Sequence, residues 1–295
     1  MKFLKRLFYF FAIIFFAHLS AGLSDASDVV IIGDIRLKPV DDIVRVIRES
    51  LSSEAIVYLP NDVKGALNSV VRKENARLVV ALGGESASEA LSLPESVPVI
   101  YGLVIKPLAT SRQNVTGIYM TTPVSEYLSL LERYFPNIKK LGIVLEPETR
   151  NVLVQEASTS SVTLYNANNS YEFIKGIIHL DGNIDALLLL PDKILLTSTA
   201  MQELYRHSFT EKVPVIGVSE KHVKMGSLLA LVFDESGMGM QIGELAQKVL
   251  SSGSASGIPP APPRRFNLYL NSDTAKTMKI NIPAELFKRA RVIYR

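Results

Sequence analysis

The amino-acid sequence predicts an α/β protein built as two similar lobes, each a parallel sheet covered by helices. Three observations carry this expectation. Short runs of Val, Ile, Leu and Ala alternate with segments of helical period along most of the chain. One strand–loop–helix–strand unit occurs twice. The loops that follow the strands are rich in hydrogen-bonding side chains, whereas the strands are nearly free of them.

Taken in order, Asp28–Gly33 is a β-branched run that ends on glycine, and it predicts the first strand. Val40–Leu51 follows as a helix, with residues 40, 43, 44, 47 and 51 forming one apolar face. The alternation continues through strand Ala55–Leu59, a helix near Asp62–Glu74, strand Leu78–Leu82, a helix near Ser86–Leu91 and strand Val97–Tyr101. A second ladder starts with helix Val124–Tyr134 and strand Lys140–Leu145. It runs on through a helix near Asn151–Ser158, strand Val162–Tyr165, a helix near Ser170–Leu180, strand Ala186–Leu190, helix Ser198–His207 and strand Val213–Val218. Runs such as "LVVAL" are apolar on both strand faces, as expected where helices cover each side of a parallel sheet.

The internal echo is clearest between "RLVVALGGESASEA…VPVIYG" at residues 77–102 and "DALLLLPDKILLTS…VPVIGV" at 185–218. Pro98 and Pro214 open the last strand of each copy, where a missing N–H costs least. Agreement of element order as well as residues favours pseudo-symmetry over chance likeness.

Composition narrows the class. The 295 residues are 47% hydrophobic, enough for one large or two medium domains with cores of their own. The net charge of +3 comes from 32 basic and 29 acidic residues spread along the chain, so no basic groove for nucleic acid is expected. Cysteine is absent, which excludes disulfides, thiol catalysis, cysteine-held metals and a lipid-modified cysteine. At the N-terminus, Lys2, Lys5 and Arg6 precede the apolar run Leu7–Ala17 and small residues at Ser20, Ala21, Gly22, Ser24 and Ala26. This is the pattern of a secretory signal peptide over residues 1–26, cleaved after Gly22 or Ala26, with an uncleaved anchor as the alternative.

In open parallel sheets, ligands bind beyond the carboxyl ends of the strands, so the informative loops are 33–38, 83–88, 101–106, 146–150, 191–193 and 219–221. Enzymatic readings of these loops fail. Gly84-Glu85-Ser86-Ala87-Ser88 lacks the closing glycine of a nucleophile elbow. No glycine-rich phosphate loop with its lysine is present, and His179, His207 and His222 have no metal-ligand spacing. No catalytic residue, metal or cofactor is expected.

Three segments resemble a known family: "NVTGIYMTTPVSEYLSLLERYFPNIKKLGIVLEP" from Asn114, "VPVIGVSEKHVKMGSLLALVFDESGMGMQIGELAQKVLSSG" at 213–253, and the closing "NLYLNSDTAKTMKINIPAELFKRA". They are similar to ABC-transporter substrate-binding proteins of the type I periplasmic-binding-protein fold, in the branch that includes binders of aromatic amino acids. The resemblance implies Rossmann-like lobes with parallel sheets, joined by three crossovers near residues 117, 231 and 267. Lobe one would take 28–117 plus 232–265, and lobe two 118–231 plus 266–295. It also recasts Asn114-Val115-Thr116, which satisfies the N-x-T glycosylation rule, as the strand that enters the first crossover, with Asn114 and Thr116 bonded to loop backbone.

The resemblance implies no covalent chemistry. It implies a periplasmic, monomeric protein whose partners are a small-molecule ligand and an inner-membrane permease–ATPase complex. A ligand-sensing module that signals to a membrane receptor is the alternative. The ligand-binding set it points to is Asp34, Gly84, Ser86, Tyr101, Tyr119, Asp192, Ser219 and Asp234. Asp192 stands where the family has an aspartate for a ligand ammonium, although a helix cap would use the same residue. Ser86 is likewise open to a capping role. Tyr101 and Tyr119 are placed to stack on a planar ligand or to serve as core. The glycines of "GGESASE" and the free N–H groups of the helical turn that follows form an anion site able to hold a carboxylate, whereas Gly84-Glu85, in place of the family's glycine–threonine pair, works against that preference. Glu235-Ser236 replaces the tyrosines that usually follow Asp234, and Asp34 and Arg36 depart from the usual first loop.

Overall fold

The computed structural model describes residues 27–148 and 161–295. The expected signal segment and the helix expected near Asn151–Ser158 lie outside these residues.

The first sheet holds β1 (Val29–Ile32), β2 (Ala55–Tyr58), β3 (Leu78–Leu82), β4 (Val99–Val104) and β5 (Val115–Tyr119) in the order β2-β1-β3-β4-β5, all parallel. Between them run α1 (Lys38–Ser50), α2 (Pro60–Val63), α3 (Leu67–Lys73) and α4 (Gly84–Ala90). The second sheet repeats this order. Its β6 (Leu141–Leu145), β7 (Val162–Asn166), β8 (Ala186–Leu188), β9 (Val215–Gly217) and β10 (Leu229–Phe233) run β7-β6-β8-β9-β10, again all parallel. Helices α5 (Val124–Tyr134), α6 (Ser170–Leu180), α7 (Ser198–Glu211) and α8 (Glu220–Met225) accompany it.

The echo read in the sequence is thus a structural repeat. In each copy the proline lies one residue ahead of its strand, and its carbonyl accepts from the neighbouring strand: Val79 N–H to Pro98 O at 3.0 Å, and Leu187 N–H to Pro214 O at 2.9 Å.

Two features go beyond the expected pattern. The helix expected over Asp62–Glu74 is broken into α2 and α3, because Pro60 starts the first piece early and Gly65, at φ 70°, takes a left-handed turn that ends it. The second sheet also gains β11 (Phe266–Asn271), antiparallel to β10, and β12 (Ala290–Tyr294) beside it, linked through α10 (Ser272–Thr277) and α11 (Ala284–Arg289). The distinctive closing segment therefore completes a sheet.

After β10 the chain leaves the second lobe and forms α9 (Glu235–Ser252), which packs on α1 of the first lobe. Burial of Val40, Ile43, Val44 and Ile47 from α1 with Met238, Ile242, Ala246 and Val249 from α9 builds the core on this face of the first sheet. Each of these Val, Ile and Met side chains contributes about 1.5–3 kcal/mol. The helices approach closely at two glycines. A Cβ on Gly239 would lie 2.8 Å from Val46 Cβ and 3.0 Å from Ile43 O, and one on Gly243 would lie 2.5 Å from Ser50 Cβ.

Strand β5 explains the NVTG motif. Asn114 is buried; its amide donates to Val97 O at 2.6 Å, and its Oδ1 accepts from Arg112 Nε at 3.2 Å. A side chain so engaged is no glycan acceptor. Thr116 departs from expectation: its hydroxyl is buried without a hydrogen-bond partner instead of bonding loop backbone. A Cβ at Gly117 would stand 2.4 Å from Tyr101 Cδ2 and from Tyr101 O, so only glycine lets β5 lie beside this tyrosine.

Replacement of Gly239 by alanine tests the helix contact. Alanine raises intrinsic helix stability by about 1 kcal/mol, yet the clash with Ile43 O and Val46 should leave the variant about 1–3 kcal/mol less stable in urea denaturation. A variant at least as stable as the parent would show that the two helices do not meet as described.

Candidate functional site

Three connections tie the lobes together, and hydrogen bonds hold them side by side. The first, residues 120–123, leaves β5; the second is Asp234, between β10 and α9; the third runs from α9 back to β11. The Leu231 carbonyl accepts from Thr122 Oγ1 and from Tyr127 Oη, both at 3.1 Å. Tyr127 is fully buried, and burial raises its hydroxyl pKa far above the ordinary value, so it remains a donor at every relevant pH. Asp234 N–H donates to Arg265 O at 2.9 Å, and Ala261 bridges β5 through Gly117 O at 3.0 Å and Tyr119 N–H at 3.1 Å.

Two cavities open at the carboxyl ends of the strands on either side of these connections. One, of about 410 Å³, belongs to the first lobe and is lined by the loops after β1, β2 and β3, including Asp34, Arg36, Asn61, Glu85 and Ser86. The other, of about 390 Å³, lies against the second lobe and reaches the connections. Its wall is largely apolar, with Met120, Pro191, Leu196, Val218, Val232 and Phe233, and carries polar groups at Asp192, Lys193, Ser219 and His222.

The end of β4 links the two, with Leu103 in the first cavity and Ile105 in the second. Leu103 sits at a register shift in the β4–β5 pairing with φ 55°, a left-handed conformation uncommon for leucine. Strain of this kind concentrates at ligand sites.

The structure separates the eight residues expected at the site. Asp34, Gly84 and Ser86 line the first-lobe cavity, and Asp192 and Ser219 the second. Asp34 is clamped by Arg36, whose Nε and Nη2 donate to its two oxygens at 2.7 and 2.8 Å and hold its carboxyl below the usual range. Ser86 is only 2% exposed, and its hydroxyl has no protein partner. Since α4 begins at Gly84 with Gly83 as its cap, Ser86 is not the N-cap.

Asp192 Oδ1 accepts from Ile194 N–H and Leu195 N–H, both at 2.7 Å, which shapes the loop without engaging Oδ2. Ser219 does cap its helix, accepting from His222 N–H at 3.2 Å.

Three of the expected residues line neither cavity. Tyr101 is fully buried in the first lobe with its hydroxyl accepting from Leu108 N–H at 3.3 Å, and Tyr119 is partly buried in the same cluster. Asp234 caps α9 through Gly237 N–H at 2.6 Å and takes Asn267 Nδ2 at 3.3 Å, which fastens the second connection to β11.

His222 lines the second cavity although its sequence spacing singles it out for nothing. Its Nδ1 accepts from Val218 N–H at 3.3 Å, which places the ring proton on Nε2. Burial and the nearby Lys221 push its pKa down to about 4. The ring is therefore a neutral donor throughout the physiological range. No group of His, Asp and Glu side chains able to hold a metal ion occurs among the described residues.

Two α/β lobes of matched strand order, joined by three connections, with strand-end cavities on both sides, define a two-lobed binding protein of the type I periplasmic-binding fold. Residues 59–293 match the family described as ABC transporter substrate binding protein, and the chain belongs to it.

A tyrosine-binding protein of Clostridioides difficile (strain R20291) is 26% identical over 220 residues, which are 68% of this chain and 62% of that protein's length. Among solved structures, the ligand-free, open form of a substrate-binding protein with adhesive properties from Clostridium difficile superposes with a TM-score of 0.67 at 19% identity, covering 91% of this chain and 99% of that one. An ABC domain from Streptococcus pneumonia in complex with L-Trp gives 0.54 at 17% identity, covering 90% and 99%. At such identities these two speak for the fold.

His222 should leave a mark on acid stability. Its folded-state pKa lies below the unfolded value, so the unfolded chain takes up a proton that the folded one refuses. Its contribution is intact above about pH 6.5 and is lost as pH falls toward 4, by an amount on the order of 3 kcal/mol. Asparagine at 222 keeps an acceptor for Val218 N–H and cannot titrate. Urea denaturation between pH 7 and 4 should therefore show a shallower loss of stability in His222→Asn than in the parent, and identical slopes would place the imidazole in water.

Proposed function

We propose that this chain is an exported solute-binding protein that captures a small polar ligand, an amino acid or related compound, between its lobes and delivers it to an ABC permease. The observation that carries this reading is the pairing, in one interlobe cavity, of an apolar wall with a carboxylate whose Oδ2 is unoccupied by the loop it organises. Such a surface suits a ligand with an apolar part and an ammonium. The tyrosine-binding relative and the L-Trp complex agree in chemical class.

The ligand would bridge the two strand-end cavities and favour a closed arrangement already accessible to the free protein, reached by bending at the three connections. A permease would then recognise the closed form. Lobe one would comprise 28–117 with 232–265, and lobe two 118–231 with 266–295. The protein would act as a monomer outside the cytoplasm, released from a signal segment at 1–26, with a small molecule and not nucleic acid as its ligand. Its family is one of binding proteins, not enzymes.

Asp192 is the sharpest test. The ligand retained by protein from its native host would be identified by mass spectrometry after denaturation, then titrated calorimetrically. For a ligand bearing an ammonium, Asp192→Asn should weaken binding by about 1.5–3 kcal/mol while leaving the melting temperature of the free protein unchanged, because asparagine still supplies an Oδ1 to Ile194 and Leu195. Equal affinities would remove Asp192 from the ligand's contacts.

A further inference from the structure

His222 lines the second-lobe cavity with a ring whose direction the fold fixes. It stands in the first turn of α8, where its backbone N–H donates to Ser219 Oγ at 3.2 Å and its carbonyl accepts from Tyr205 Oη at 3.0 Å. The last residue of β9 is glycine because a Cβ on Gly217 would lie 2.7 Å from His222 Cβ. Val218 then sets the ring, its N–H donating to Nδ1 at 3.3 Å. Lys193, on the same wall, is by contrast an exposed charge on a long flexible stem.

With Nδ1 committed as an acceptor, the ring proton is on Nε2, and Nε2 has no hydrogen-bond partner among the described residues. The ring stays neutral, since burial and Lys221 lower its pKa to about 4. It therefore offers the cavity one N–H and no free acceptor. Most of the wall around it is apolar, with Leu196, Val218, Val232 and Phe233. When water is excluded from such a surface, an N–H either meets an acceptor or loses its hydration without return. A purely apolar ligand group placed there would strand the donor, and an ammonium or indole N–H would set donor against donor.

We propose that His222 Nε2–H is the specificity-determining contact of this cavity, selecting ligands that bring an oxygen acceptor, phenolic or carboxylate, to its ring. The proposal rests on the reading of the cavity as the site for a ligand with an apolar part and an ammonium, and adds a third required feature. Discrimination then comes chiefly from the cost of leaving a fixed protein donor unpaired, which rejects analogues that lack the oxygen.

Two substitutions separate the ring's two nitrogens. Asparagine carries its amide oxygen near the place of Nδ1, so His222→Asn keeps the bond from Val218 N–H and removes the outer donor. Glutamine carries its amide nitrogen near the place of Nε2, so His222→Gln keeps the outer donor and gives up the loop bond. Isothermal titration at pH 7 with L-tyrosine, L-phenylalanine and tyramine should show affinity lowered at least about fivefold in His222→Asn and no more than about twofold in His222→Gln for the probes that bring the oxygen. Loss confined to tyrosine and tyramine identifies the phenol as the acceptor, and loss confined to tyrosine and phenylalanine identifies the carboxylate. Equal affinities in the two variants, or a greater loss in His222→Gln, would overturn the inference and leave the proposed function standing. Binding of none of the three probes by the parent protein at millimolar concentration would overturn both.

Discussion

The return of α9 onto α1 is the contact on which the two-lobed arrangement depends. A helix formed after the second lobe's fifth strand is needed to cover one face of the first lobe's sheet, and it reaches that face only because Gly239 and Gly243 let the backbones come together. Without it, Val80, Ile100 and Ile118 on β3, β4 and β5 would lose their cover on this face of the sheet. With it, the chain must cross between lobes three times. Those crossings, fastened at the Leu231 carbonyl and at Asp234, become the floor of the cleft. Core packing and site geometry are thus consequences of one topological requirement.

The division of labour between sheet and loop follows from the same physics. Parallel strands buried on both faces hold almost no polar side chains, so ligand chemistry is confined to the loops at their carboxyl ends. The two lobes then differ in what those loops offer. In the first, α4 starts directly after β3 and brings a polar, charged wall near Ser86. In the second, residues 189–197 intervene between β8 and α7, organised by Asp192, and the wall is apolar. Under the proposed function, a ligand held between them would meet two different environments, which favours molecules with a polar end and an apolar end.

Much of this was legible in the amino-acid sequence, for definite reasons. Runs such as Val29–Ile32 and Leu78–Leu82 announce strands because they are short, rich in Val and Ile and end on glycine, and the repeated Val-Pro-Val-Ile marked matched positions in two sheets. The break at Gly65 was harder to read, since a single glycine is tolerated within helices and only its left-handed φ decides otherwise. Of the residues that line the two cavities, Asp34, Gly84, Ser86, Asp192 and Ser219 were within reach because they follow strands. Tyr101 was not assignable, since an aromatic at a strand end looks the same whether it faces a cleft or a core. His222 acquires its role from a backbone N–H four residues away, and spacing carries no trace of that bond.

The central claim is that the lobes close around a ligand by bending at the three connections. Because the chain contains no cysteine, two can be introduced on exposed sites of opposite lobes, for example at Asp62 and Glu211, and spin-labelled without other changes. Double electron–electron resonance with and without the ligand retained from the native host measures the separation directly. A distance distribution that shortens and narrows at saturation is the expected result; one that saturating ligand leaves unchanged would contradict the account.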